Sequence, residues 1–343
     1  MADKTVTSEL ESVAAETQSL KRPSLRIKNV FLGGLLLALL LFPALQFTSG
    51  RLNYWLHMAI YTFMYIAMAS SWNIIGGYAG YTSLGHNVFF AVGAYIAGVL
   101  LVYFKISPFL TAPLGGLIAM AIGLLVGLIS LRTRGPAFII STIAMILVVK
   151  ISFDNWDYIG GSNGLSLPAI KLPLAYTKMP FYYAMLLVAV GAIYLAYRIR
   201  HSKFGLGLRA ISQDETKAEV AGIPTNLYKI LAFSISGLLV GVAGGLWGYY
   251  LTYLKPSNFL SILVAAQMVL MAVLGGKGTV AGPVVGAVIF IAINEFFVAN
   301  LGFTELNIVA TGLLLLVVLL FFPEGIVGTL KEKGKLPQVL DWD

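Results

Sequence analysis

A glycine-rich break between two apolar stretches carries polar side chains that could bind a small molecule. It runs from Trp72 to Asn87. Irregular backbone at membrane depth is tolerated where protein buries it or where it lines an aqueous cavity, and helix ends at such breaks can hold substrate groups or ions. Alternatively, the glycines form turns between spans or allow close helix packing. The candidate substrate-pathway residues are Asn73, Gly77, Tyr78, Gly80, Tyr81, Thr82, Ser83, Gly85, His86, Phe89 and Phe90.

A second glycine-rich break covers residues 275–282 and leaves the same two alternatives open. Its segment from Gly275 to Thr279 has some likeness to a phosphate-binding loop. However, Met271 stands where that loop begins with glycine, no Ser or Thr follows Lys277 directly, and no strand precedes it. Nucleotide binding is therefore not predicted here, and no cofactor is expected. If ATP drives this protein, another subunit binds it.

A polar segment between two later apolar stretches predicts a short capped helix. Ser212 suits the N-cap and Glu215 stands three residues later, as in a capping box. Gly222 suits the C′ position and Pro224 follows as a stop signal. The helix would be about 14 Å long, and it could insert into a groove on a partner or lie on lipid headgroups. The candidate partner-coupling residues are Arg209, Ser212, Asp214, Glu215, Lys217, Glu219 and Gly222.

No catalytic or metal-binding pattern emerges from the sequence. The chain has no cysteine, and its three histidines, His57, His86 and His201, are too scattered for a metal motif. Glu295 is the one intramembrane acidic candidate, and it could snorkel or pair with a partner subunit. An ion-coupled carrier usually needs several buried carboxylates, so this scarcity argues against that class.

Composition predicts a chain that crosses a membrane many times. Of 343 residues, 58% are hydrophobic and 11% are charged, mean hydropathy is +0.86, and a soluble domain usually carries about 25% charged residues. The net charge of +8 comes from basic residues that cluster at the ends of apolar runs, where they orient spans and meet anionic lipid. This placement argues against nucleic acid as a partner.

The apolar runs predict an all-α fold of about ten transmembrane helices, with broken or re-entrant segments and both termini in the cytoplasm. Residues 1–28 are expected to form a cytoplasmic tail, 29–325 the transmembrane domain with a cytoplasmic coupling segment at 200–228, and 326–343 a second cytoplasmic tail. The predicted spans lie near 29–48, 55–75, 86–104, 109–131, 136–153, 180–199, 229–253, 259–274, 283–300 and 306–322.

Several of these segments, in the same order, resemble the LivM-type permeases of branched-chain amino-acid ABC importers. The run from Trp72 to Tyr95 is similar to that family's N-x-x-x-G-Y-A-G-Q-x-S-L-G-H pattern, with Tyr81 where Gln is common. Residues 132–138 and 160–165 are similar to its L-R-x-R-G-x-Y-F and G-G-x-N-G-I motifs. Residues 205–222 resemble its cytoplasmic coupling loop, with Lys217 in place of a usual Ala.

The resemblance implies a permease subunit, not an enzyme, in a bacterial or archaeal inner membrane. It implies a second, LivH-like permease subunit, two cytoplasmic ABC ATPases and an extracytoplasmic substrate-binding protein as partners. Inward transport of branched-chain or other amino acids is the first hypothesis, and urea or short amides are the alternative cargo because relatives of the family carry them. An ion-coupled secondary carrier and a membrane-embedded enzyme are the remaining hypotheses.

Overall fold

The computed structural model describes residues 22–45, 52–173, 176–301, 312, 320, 324–334, 336–337 and 340–342. The described chain is mostly helical. Its helices are α1 Arg22–Leu41, α2 Asn53–Asn73, α3 His86–Phe104, α4 Pro108–Ser130, α5 Pro136–Asp154, α6 Lys178–Arg200, α7 Lys203–Gln213, α8 Glu215–Val220, α9 Thr225–Leu251, α10 Pro256–Phe259, α11 Ile262–Gly275, α12 Gly282–Leu301 and α13 Gly325–Glu332.

Seven helical segments are long and apolar enough to cross a membrane, judged by length and composition within the described residues. They are Asn53–Tyr78, His86–Phe104, Pro108–Ser130, Pro136–Asp154, Lys178–Arg200, Thr225–Leu251 and Pro256–Gly275. Two shorter apolar helices, Leu32–Leu45 and Gly282–Phe296, coincide with the predicted first and ninth spans. The predicted tenth span, 306–322, falls almost wholly outside the described part of the chain. The protein is therefore a helical, multi-pass membrane protein.

Helix α9 lies at the centre of the bundle and packs against α2, α3, α4 and α6. Glycines bring its backbone against its neighbours, because an added Cβ would collide with main-chain atoms of the facing helix. A Cβ on Gly93 of α3 would lie 1.9 Å from the carbonyl oxygen of Gly241, and one on Gly244 would lie 2.0 Å from that of Phe90. Small residues at membrane-helix interfaces permit such close approach.

The outer surfaces of α4, α5 and α6 expose aliphatic side chains at intervals along their length. Leu187 of α6 is 74% exposed, and similar side chains follow on the other two helices. These surfaces suit the acyl chains of a bilayer. The other exposed aliphatic residues on α4 and α5 include Leu110, Leu114, Leu117, Leu125, Leu128, Ile140, Leu147, Val148 and Ile151.

The two ends of the bundle differ in structure and charge. At one end, which we call the ribbon end, β1 (Leu165–Ser166) pairs antiparallel with β2 (Tyr253–Leu254), and Leu165 faces Leu254. At the other, which we call the basic end, lie Arg132, Arg134 and Arg200 together with α7 and α8. The basic loops before α5 and after α6 therefore lie at the same end of the bundle.

Candidate functional site

The first glycine-rich break is irregular backbone at the basic end. Helix α2 continues past Asn73 as a π-helical turn, Ile74–Tyr78, and regular structure resumes only at His86. The indole nitrogen of Trp72 donates to the carbonyl oxygen of Ser83 at 2.7 Å, which folds the break back onto the end of α2. Gly80 has a positive φ of 78°, a conformation that glycine adopts without strain.

Asn73 joins the two glycine-rich breaks. Its side-chain nitrogen donates to the carbonyl oxygen of Thr279 at 2.7 Å, and its side-chain oxygen accepts from the backbone N–H of Gly278 at 2.8 Å. Gly77 lies directly against this contact, since a Cβ there would come within 1.8 Å of the Asn73 oxygen. The fully buried amide of Asn73 therefore forms hydrogen bonds with backbone groups about 205 positions away in the chain.

The remaining polar candidates of the first break are largely bonded inside the protein. His86 is fully buried, with its ring nitrogens 3.1 Å from the hydroxyl of Ser83 and 2.8 Å from that of Ser236. Ser83 also accepts from the backbone N–H of Gly85 at 3.2 Å. Phe89 packs on Phe233 of α9, with ring centroids 5.1 Å apart, Phe90 packs on Phe259, and the hydroxyl of Tyr78 donates to Ala196.

Three pathway candidates, Gly80, Tyr81 and Thr82, line a cavity of about 210 Å³ at the basic end. Its other wall is the start of α5, from Gly135 to Ile139. Three of the eleven candidates therefore border this cavity, and most of the others are buried and bonded within the protein.

The predicted capping box at Ser212 and Glu215 is wrong. Ser212 lies inside α7, one residue before its last, and the chain leaves the helix at Asp214, which is extended with φ −161° and ψ 108°. The side chain of Asp214 caps α8 by accepting from the backbone N–H of Lys217 at 3.1 Å. In place of the predicted nine-residue helix, the six-residue α8 follows a bend at Asp214. Gly222 lies at the predicted C′ position, with a positive φ of 84°.

Glu215 forms the centre of a buried ionic network. Its carboxylate lies 2.5 Å from the ammonium group of Lys229 on α9, and the two side chains are 9% and 1% exposed. Tyr81, from the first break, donates its hydroxyl hydrogen to the same carboxylate, and Arg134 lies 3.2 Å from it. Lys229 also donates to the carbonyl oxygen of Leu131 at 3.4 Å. The network connects α8, α9, the first break and the loop before α5.

Lys229 is a functional candidate that the sequence prediction missed. The predicted seventh span began at residue 229, where a lysine could snorkel into water. Helix α9 instead begins at Thr225, directly after Pro224, and Lys229 lies one turn inside it. Pro224 was read only as the stop of the preceding helix, but proline is also common at the start of a helix, and a start here places residue 229 beyond the first turn.

The network explains the electrostatics of its acidic and phenolic groups. Burial raises the pKa of the Glu215 carboxyl, but hydrogen bonds from Lys229 and Tyr81 and the positive charges of Lys229 and Arg134 lower it by more. The net pKa is below the ordinary value of 4.5. Burial and the neighbouring carboxylate of Glu215 raise the pKa of Tyr81, so its hydroxyl keeps its proton and remains a donor.

The depressed pKa of Glu215 predicts an acid-sensitive contribution to stability. Its carboxylate stabilises the fold fully above pH 4.5, the unfolded value, and this contribution is lost as pH falls through the lower folded value. We expect the melting temperature of the wild type to fall more between pH 6 and about pH 3.5 than that of Glu215→Gln. Glu219→Gln is the matched control, because it makes the same chemical change on a half-exposed neighbour. Parallel pH profiles for the wild type and Glu215→Gln would contradict the assignment.

The opposite face of α8 is free of this network and faces solvent. Lys217 is 85% exposed, pairing only along its own helix with Asp214 at 3.3 Å, and Val220 is 87% exposed. Gly222 has no atom within 4 Å of the position a Cβ would take. Arg209 of α7 borders a separate cavity with Arg200, His201 and Lys331. Among the described residues, no group of three or more His, Cys, Asp or Glu side chains could hold a metal ion.

Comparison with known proteins identifies the family. Residues 54–320 match the family described as the permease component of branched-chain amino-acid transport systems. The chain belongs to this family. Family members are transport components and not enzymes, as the sequence resemblance predicted, and the LivM relationship is confirmed by individual relatives.

The LivM permease of the high-affinity branched-chain amino-acid transport system of Salmonella typhimurium is 26% identical over 306 residues, which cover 81% of this chain and 71% of the relative. Its Escherichia coli K12 counterpart is 25% identical over the same shares. The LivH permease of Salmonella typhimurium is 26% identical over 287 residues, covering 77% of this chain and 91% of the relative. No solved structure matches the chain significantly.

Proposed function

We propose that this chain is the membrane-spanning subunit of an ABC importer that moves branched-chain or other amino acids inward. Transport would proceed by alternating access, driven by ATP hydrolysis on separate subunits. The observation that carries the proposal is the two-sided structure of α8. One side is bonded through Glu215 to the membrane helices, and the other exposes Lys217 and Val220 to a partner.

The family relationship supplies the expected partners. Because this chain is similar to relatives named LivM and LivH, we infer that it pairs with a second, LivH-like permease. Two cytoplasmic ATPases would bind at the basic end and a substrate-binding protein at the ribbon end. This arrangement puts both termini and α8 in the cytoplasm and the complex in a bacterial or archaeal inner membrane.

The network around Glu215 provides a route from the ATPase to the membrane helices. When nucleotide binding closes the ATPases, α8 would move with them. The ion pair to Lys229 would carry that displacement to α9, and Tyr81 would carry it to the first glycine-rich break. The cavity beside Tyr81 gives the break room to shift. The ATPases can shift the permease from one state to the other only through contacts that differ between those two states.

Reconstitution tests the function directly. The chain and its candidate partners are placed in proteoliposomes, and uptake of radiolabelled leucine is measured with ATP, without ATP, and with a sodium or proton gradient alone. The proposal expects uptake only with ATP, the ATPases and the binding protein. Uptake driven by an ion gradient alone would overturn it. Competition by urea and acetamide tests the alternative cargo, which a loss of leucine uptake in their presence would favour.

The exposed face of α8 predicts the docking contact with the ATPase. Reversing the charge of Lys217 and placing a charge at Val220, as in Lys217→Glu/Val220→Asp, should weaken ATPase co-purification about tenfold, which corresponds to about 1.4 kcal/mol. The chain should still insert and melt normally, since neither side chain packs inside the protein. Lys171→Glu is the matched control, because it makes the same charge change on an exposed residue at the ribbon end. Unchanged co-purification would contradict the docking role.

A further inference from the structure

One face of α2 carries a stripe of aromatic and polar side chains that the basic-end network does not involve. Tyr54, His57, Tyr61 and Tyr65 are spaced three, four and four residues apart. This spacing places them on a single face of the helix. The stripe begins at the ribbon end, and at 1.5 Å per residue Tyr65 lies about 18 Å from the start of α2. Tyr61 and Tyr65 therefore lie more than two helical turns inside α2.

Other helices contribute polar and aromatic groups to the same face. The hydroxyl of Tyr65 donates to the side-chain oxygen of Gln267 on α11 at 2.9 Å. Tyr54 donates to the carboxylate of Glu295 on α12.

The rings of α2 and α9 form a stacked cluster between these polar contacts. A ring nitrogen of His57 lies 2.6 Å from the hydroxyl of Tyr250. Tyr61 packs against Trp247, with centroids 5.6 Å apart, and Trp247 stacks on Tyr250 at 5.2 Å. This face combines hydrogen-bonding groups with broad aromatic surfaces.

The face does not suit contact with lipid. His57, Tyr61, Gln267 and Glu295 are all partly exposed, whereas α4, α5 and α6 expose aliphatic side chains such as Leu187. A charged or polar group in hydrocarbon is costly and normally faces a bundle interior or a water-filled cavity. The exposed polar groups of α2, α11 and α12 therefore indicate an aqueous path.

The charges beside this path are of both signs. The carboxylate of Glu295 accepts the hydrogen bond from Tyr54 near the start of α2. The ammonium group of Lys178 donates to the backbone oxygen of Asn53 at the start of α2, at 2.9 Å. A ligand that enters here meets a carboxylate and an ammonium group near the start of α2, beside an aromatic surface. This combination matches a zwitterion with an apolar side chain.

We propose that this face of α2, α11 and α12 lines the ribbon-end half of the translocation pathway and binds the amino acid during its passage. This inference rests on the proposed transport function. The ligand's ammonium group would meet Glu295 and the electron-rich faces of Tyr61 and Trp247, its carboxylate would meet Lys178, and its aliphatic side chain would pack on the rings. The second permease would close the path from the opposite side.

The absence of cysteine from the chain makes accessibility directly measurable. Single cysteines are introduced as Gln267→Cys and Glu295→Cys, and as Leu187→Cys on the aliphatic surface at a depth of about 14 Å along α6. The reagent is a membrane-impermeant cationic thiosulfonate, applied to the assembled complex, and labelling of this chain is read on a gel. We expect Gln267→Cys and Glu295→Cys to react and Leu187→Cys to remain unlabelled, with leucine slowing the reaction of Gln267→Cys at least about threefold. Failure of both path cysteines to react would overturn the aqueous path, and labelling of Gln267→Cys that leucine does not slow would overturn the binding site.

A transport measurement separates substrate contact from a structural role. Glu295→Gln should raise the KM for leucine uptake about tenfold while leaving the maximal rate within about twofold. The reason is that the lost contact, between the carboxylate of Glu295 and the ammonium group of leucine, is made equally in the ground state and in the transition state of transport. Glu295→Asp should restore part of the affinity. Unchanged KM, or an equal loss of maximal rate in both variants, would contradict substrate contact. If wild-type complexes show no ATP-driven uptake at all, the proposed function fails, while leucine protection of Gln267→Cys still reports on this site.

Discussion

Replacing Lys229 by methionine is expected to destabilise the protein by about 3 kcal/mol, because it leaves the carboxylate of Glu215 without its closest cation. Breaking a buried pair by removing one partner typically costs about 3–5 kcal/mol. The lower end applies, since Tyr81 and Arg134 still contact the carboxylate. The measurement is the thermal unfolding midpoint of the purified chain in detergent. Lys203→Met is the matched control, because Lys203 is exposed at the start of α7.

The double variant Glu215→Gln/Lys229→Met distinguishes a pair from two independent residues. Removing both charges replaces a buried carboxylate that has lost its closest cation by two neutral groups, so the double variant should be more stable than Lys229→Met alone. Strictly additive losses, or a Lys229→Met midpoint equal to that of Lys203→Met, would contradict the buried pair.

The same variants are also expected to weaken the coupling of transport to ATP hydrolysis, by more than their loss of stability explains. In a reconstituted complex assayed well below its melting point, Glu215→Gln/Lys229→Met should retain ATP hydrolysis but transport fewer amino acids per ATP, by about fivefold or more. The physical reason is that α8 would still bind the ATPase through its exposed face, while its rigid connection to α9 is lost. An unchanged ratio of uptake to hydrolysis would show that the displacement travels another way.

The membrane helices could be predicted from the sequence because their signal is local. An apolar run bounded by charged residues, proline or glycine can be recognised as a span without knowledge of the rest of the chain. The predicted span 86–104 coincides with α3 residue for residue. The bend at Asp214 is also local, but the prediction chose the wrong cap. Ser212 and Asp214 are both good N-cap residues, and the helix of residues 203–213 decides between them by running through Ser212.

The interactions between distant segments could not be predicted in the same way. Asn73 and Gly278 lie about 205 residues apart, and nothing in either segment specifies the other. The sequence therefore left both glycine-rich breaks with the same two alternatives, pathway or packing. In the structure the two breaks hold each other through Asn73. Two polar residues of the first break, Tyr81 and Thr82, border the cavity beside the Glu215 network.

The glycine contact between α3 and α9 predicts a large effect of a single added methyl group. Gly93→Ala would place a Cβ 1.9 Å from the carbonyl oxygen of Gly241 and 2.5 Å from its carbonyl carbon. These are backbone atoms of a neighbouring helix, so the clash cannot be relieved by rotating a side chain. Overpacking usually costs about 1–3 kcal/mol and occasionally more. We expect a loss of about 3 kcal/mol or greater in unfolding free energy.

Two other glycines provide controls for the effect of alanine itself. Gly191 in α6 has no atom within 4 Å of a Cβ, and Gly127 in α4 would make only ordinary contacts at 3.5 Å. Alanine favours a helix over glycine by up to about 1 kcal/mol, so both substitutions should be neutral or stabilising. The measurement is the melting temperature of each variant in the same detergent. A Gly93→Ala variant as stable as Gly191→Ala would mean that α3 and α9 can separate without cost. In that case α9 could shift relative to α3. The hydrogen bond between His86 of α3 and Ser236 of α9, at 2.8 Å, would then not be enough to fix the first break against α9.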